Sequence, residues 1–127
     1  MNNKPKIFIY DWKGKNYFDN LAKKSEINLD KIVEIIMVKN LEDLKKANLD
    51  ECSGIVMHSI YFDPHNNLKN YISILKDKNI PLVLESSTEG FNKIYREGIE
   101  LYDLDYSNLH ILNVGEFIPR INEIFLK

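Results

Sequence analysis

Short apolar runs, each too brief for a helix, recur along this chain with amphipathic stretches between them. They are KIFIYD (6–11), KIVEIIMV (31–38), SGIVMHS (53–59), IPLVLESS (80–87) and IELYDLD (99–105). In SGIVMHS the apolar centre does not alternate with polar residues, which marks a strand covered on both faces. The stretches between the runs carry helical spacing instead. Tyr17, Phe18 and Leu21 fall on one side of residues 16–26, and Leu41, Leu44 and Leu49 on one side of 41–49. Leu68, Tyr71, Ile72 and Leu75 form a third stripe, and Phe117, Ile118, Ile121, Ile124 and Phe125 a last one. Strands joined by helices run parallel, with right-handed crossovers and helices on both faces of the sheet.

Local signals set the boundaries. Asn40 is placed to cap the helix that follows, with Asp43 in its first turn. Asp63 before Pro64 suits an N-cap followed by a first-turn proline, Ser87 or Thr88 would cap a helix over 87–98, and Gly98 stops it. Pro119 is expected in the first turn of the last helix, over 116–127. With 127 residues the chain is expected to be a single domain, residues 1–127. The pattern predicts an α/β fold: a flavodoxin-like doubly wound parallel sheet of five strands, order 2-1-3-4-5, with helices on both faces. Residues 109–114 read either as a loop or as a short sixth strand beside the fifth.

Composition narrows the function. Apolar residues are 44%, charged residues 28% and the net charge −2, so no strong field favours nucleic acid or an anionic membrane. No stretch approaches the roughly 20 apolar residues of a membrane span, and the N-terminus lacks a signal-peptide core. One cysteine, Cys52, rules out a disulfide framework within the chain. These features lead us to expect a cytoplasmic protein, and the abundance of Lys, Asn and Ile a bacterial one.

In an open parallel sheet, ligands bind at the carboxyl ends of the strands beside the switch in strand order. Asp11 and Trp12 end the first strand, His58 and Ser59 the third, Glu85, Ser86 and Ser87 the fourth, and Asp103 and Asp105 the fifth. Catalytic candidates are His58, as a general base or metal ligand beside Asp11, together with Asp11 and Ser86. The plainer alternatives are a histidine hydrogen-bonded at the sheet edge and serines that cap a helix. Asp11 and Asp105, with Asp103, are candidates for holding Mg²⁺, against the reading of solvated acids. Zinc wants three or four N/S ligands, which the neighbourhood of His58 does not offer. Glycine-rich phosphate loops are absent. Trp12, Tyr61 and Phe62 lie in loops at the same edge, packed as satellite core or held out as contact anchors. Tyr95 and Tyr102 mark a second binding surface.

These strand ends resemble the receiver domain of bacterial response regulators. Asp11 matches one of the acids with which receivers hold Mg²⁺, and Trp12 stands where a second would be. IPLVLESS fits the pattern P-I-V-x-x-[ST] and puts Ser86 at its hydroxyl position. Gly98 and Tyr102 match the glycine and the aromatic switch residue of the fifth strand. The phospho-accepting aspartate falls on His58 and the lysine on Asp105. Imidazole cannot form an acyl phosphate, and Asp105 would add negative charge where an ammonium offsets it. The resemblance therefore implies a pseudo-receiver: a regulatory, signal-transduction module that works without phosphorylation, without a cofactor, and through a protein partner or a second copy of itself. The alternative is a small enzyme or a binder of nucleotide, flavin or metal, with its site at the ends of strands 1, 3, 4 and 5.

Overall fold

The computed structural model describes residues 4–58, 69–86 and 107–125. Five parallel strands form one sheet: β1 (Lys6–Tyr10), β2 (Glu34–Val38), β3 (Gly54–His58), β4 (Leu82–Ser86) and β5 (Leu109–Asn113). Their order is β2-β1-β3-β4-β5, the doubly wound flavodoxin-like arrangement that the alternation of strands and helices predicts. All four neighbouring pairs are parallel. Around them lie α1 (Lys15–Lys24), α2 (Leu29–Ile32), α3 (Leu41–Lys46) and α4 (Lys69–Asp77). The chain ends in α5 (Val114–Phe117), a 3₁₀ turn at Ile118–Arg120, and α6 (Ile121–Phe125).

Strand parity divides the core into two layers, because successive side chains of a strand point to opposite faces. Ile7 and Ile9 of β1, Val56 of β3 and Val83 of β4 pack with Phe18 and Ala22 of α1 and with Phe117, Ile121 and Phe125 near the chain's end. Phe8, Ile55, Met57, Leu82 and Leu84 pack on the other face with Leu44 of α3 and with Tyr71, Ile72 and Leu75 of α4. β3 is buried along its whole length, as its unalternating apolar run predicts. Each of Ile55, Val56 and Met57 contributes roughly 1.5–3 kcal/mol by leaving water.

Three boundaries depart from the sequence reading. β2 begins at Glu34, not at residue 31, because Leu29–Ile32 form a helical turn that buries Leu29 first. Pro119 lies in the middle of the C-terminal helical run, not in its first turn. Lacking an N–H, it breaks the α pattern, and the run tightens into a 3₁₀ turn there. The third departure is β5. Residues 109–113 pair directly with β4, from Leu82 with Leu109 to Ser86 with Asn113, so this segment is the fifth strand, not a loop or a sixth strand beyond it. The segment 99–105, read as the fifth strand, lies outside the described residues; in the sheet β4 and β5 are direct neighbours. The predicted cap of α3 forms: the Asn40 side chain accepts the Asp43 N–H at 2.8 Å. The cap at Asp63 and Pro64, the helix over 87–98 and its stop at Gly98 also lie outside the described residues.

Candidate functional site

The two-residue period that sorts the core also builds the site. Tyr10 pairs with Met57, and His58 with Glu85. Asp11, one residue past β1, therefore continues the row that His58 and Glu85 occupy on β3 and β4. By parity this row extends the apolar set Ile9, Val56 and Val83 toward the carboxyl edge of the sheet. Three polar side chains thus stand where the same face is otherwise apolar, and all are buried: Asp11 at 5%, His58 at 3% and Glu85 at 0% exposure. One donor atom from each lies within 4.8 Å of the others.

The loop after β1 closes over them. Gly14 caps α1 with φ +79°, a left-handed conformation that side chains disfavour, and so turns the chain into the helix within a few residues. Asp11 Oδ1 accepts the backbone N–H of Lys13 at 2.8 Å, which fixes the carboxylate and the loop together. The Lys13 side chain then folds back. Its Nζ lies 3.7 Å from Asp11 Oδ2 and 3.9 Å from Glu85 Oε1, and 4.6 Å from the centre of the Tyr17 ring. The Trp12 ring lies 4.3 Å from that of His58, tilted by 51°, yet remains 58% exposed. Among the described residues, Asp11 Oδ2, Lys13 Nζ and both Glu85 oxygens are buried with no hydrogen-bond partner beyond the proton that the Glu85 and Asp11 carboxyls share.

Such a cluster perturbs its own chemistry. Burial, and then the neighbouring Asp11 carboxylate, push the Glu85 carboxyl well above the usual range, while Lys13 pulls it the other way. Burial lowers His58 below the ordinary imidazole value, against the pull of Asp11 and with the help of Lys13. At neutral pH the pocket thus holds a neutral imidazole and a carboxyl inclined to keep its proton. An imidazole in that state can accept a proton or ligate a metal.

Of the residues singled out in the sequence, the structure brings Asp11, His58 and Trp12 together. Ser86 ends β4, paired with Asn113. Ser59, Tyr61, Phe62, Ser87, Tyr95, Tyr102, Asp103 and Asp105 lie outside the described residues. Lys13 and Glu85 complete the cluster, and the sequence reading gave neither a role. The signal for Glu85 was the register: a carboxylate on a strand with Leu82, Val83 and Leu84 stands in the same row as His58 once β3 and β4 are paired. Lys13 had no such signal, since a lysine in WKGKN looks like any solvated loop residue.

No protein-family model and no curated protein matches this chain. The likeness to receivers therefore rests on strand order and strand-end residues alone. Among the described residues, no helix is long and apolar enough to cross a membrane.

Proposed function

We propose that this chain is a regulatory or protein-interaction module with a receiver-like fold that operates without being phosphorylated. One observation carries the reading: the buried side chain at the end of β3 is the imidazole of His58, and the cation beside it is the chain's own Lys13 ammonium, lying against Asp11 and Glu85. Acyl-phosphate formation needs a carboxylate at the end of β3, and an imidazole stands there instead. The exposed Trp12 ring supports the interaction half of the reading, because an aromatic anchor at a pocket rim suits contact with a protein partner or a second copy. The decisive experiment is incubation with acetyl phosphate or beryllofluoride and Mg²⁺, followed by intact-mass and melting measurements. Unchanged mass and melting temperature are expected, whereas a phosphorylated or clearly stabilised protein would overturn the proposal.

A second reading, a small-ligand binder or small enzyme at the strand ends, is favoured by one specific feature. The buried carboxyls of Glu85 and Asp11 face only each other and a Lys13 ammonium beyond hydrogen-bond distance, an incompletely satisfied polar cluster of the kind a small ligand completes.

A further inference from the structure

We propose that Asp11, His58 and Glu85 form a site for one divalent ion of the zinc class, and that the Lys13 ammonium closes this site from within. The inference rests on the second reading above, that the strand ends bind a small ligand, and names that ligand's class.

Two of the donors lie on the adjacent strands β3 and β4 and the third, Asp11, one residue past β1, so the sheet largely sets their spacing. All three are more than nine-tenths buried, and their ligand atoms lie within 4.8 Å of one another. Ligands around a tetrahedral ion with bonds of about 2.1 Å stand roughly 3.4 Å apart, so modest side-chain rotations close the set. The independent sign is the state of the oxygens. Glu85 is fully buried, and apart from the one proton its carboxyl shares with Asp11, no donor among the described residues hydrogen-bonds its Oε1, its Oε2 or Asp11 Oδ2. Buried carboxyl oxygens left in that condition are costly, and coordination to an ion satisfies them.

The donor set selects the ion. With one nitrogen the set has fewer N/S donors than zinc usually takes, but zinc also accepts carboxylate oxygens at about 2.0–2.2 Å, whereas Mg²⁺ prefers all-oxygen ligands and keeps several waters, for which a fully buried set has little room. The site is also distinct from the acid-pair magnesium site that the receiver resemblance implies, because the second acid position there is Trp12 and the β4 ligand here is Glu85.

Lys13 gives the site its control. Its Nζ reaches the same Asp11 Oδ2 and Glu85 Oε1 that an ion requires, at 3.7 and 3.9 Å. At those distances it supplies charge without a hydrogen bond, and it has none from any other described residue. An ion on these oxygens competes with the ammonium for the same two carboxyls, and the like charges repel in the buried site. The ammonium and the ion are therefore alternatives, and ion entry expels the Lys13 side chain past Tyr17 and Trp12 toward solvent.

The test is calorimetric titration of the full chain with Zn²⁺, with Co²⁺ as a spectroscopic substitute, on wild type, Glu85→Gln, His58→Ala and Lys13→Met. One ion per chain is expected. Affinity falls by about tenfold or more in Glu85→Gln and His58→Ala and rises by about tenfold in Lys13→Met, the visible Co²⁺ bands weakening when His58 is lost. Circular dichroism confirms that each variant is folded. Should His58→Ala not fold, the isosteric Glu85→Gln and the loop variant Lys13→Met still decide the matter. Ion affinity unchanged in Glu85→Gln, or no tighter in Lys13→Met, overturns the proposal. So does Mg²⁺ binding as tightly as Zn²⁺. If no ion binds but a nucleotide or flavin raises the melting temperature in a His58-dependent way, the ion assignment falls while the ligand-binding reading stands.

Discussion

At the scale of single residues, Glu85 is the group that most shapes the pocket. Its carboxyl holds its proton in the folded chain at pH values where the unfolded chain, near the ordinary 4.5, has lost it. Folding must then take up a proton at Glu85, so this group's contribution to stability is greatest at low pH and declines as pH rises from about 4.5 through neutrality, by at most about 1.4 kcal/mol per pH unit. Glu85→Gln keeps the shape and removes the titration. Denaturant unfolding between about pH 5 and about pH 8 should therefore show the variant gaining on wild type by roughly 1 kcal/mol per pH unit. Parallel curves for the two proteins would show that Glu85 is ionised in the folded state. Asp11 and His58 were legible as strand-end residues from apolar runs alone. Glu85 was legible as a strand-end residue too, but its place in the cluster needed the β3–β4 register, and that of Lys13 the path of a loop; neither is written in local residue order.

At the scale of elements, one close approach joins the middle of the sheet to the end of the chain. Gly54 opens β3, and a methyl group there would overlap the Phe125 ring of α6, with ring Cζ only 3.1 Å away. Phe125 also meets Phe117 of α5 edge to face, with centroids 6.1 Å apart, so the ring has little freedom to withdraw. Gly54→Ala should cost about 1–3 kcal/mol, read as a lower melting temperature, and Gly54→Ala with Phe125→Leu should recover part of it. A Gly54→Ala protein as stable as wild type would mean that α6 shifts freely. The elements that the sequence reading placed well are those whose signals are local: the Asn40 cap, the unbroken apolar run of β3 and the stripe of α4. The one it left open between loop and short strand, LHILN, is short and carries a histidine and an asparagine. It becomes a strand because Leu109 and Ile111 pack against one core layer and Leu112 against the other, a tertiary advantage that no local propensity announces.

At the scale of the whole molecule, the strand order sets a gradient across the sheet. β3 is buried throughout and β1 at its three central residues, whereas the edge strand β2 has one buried residue of five and β5 likewise one. The pocket draws its three donors from β1, β3 and β4 and none from either edge. Amide hydrogens in a folded protein exchange with solvent through openings whose cost differs from region to region. Here the amides of β2 and β5 should exchange first, and those of Ile55, Val56, Leu82 and Val83 only with global unfolding. Equal rates in the edge and central strands would contradict this order. The consequence is that the floor under His58 and Glu85 is among the last parts of the molecule to open: the edges can breathe, pair or fray while these two donors keep their spacing, and Asp11, tied to the Lys13 backbone, is the donor that any motion of the loop would carry with it.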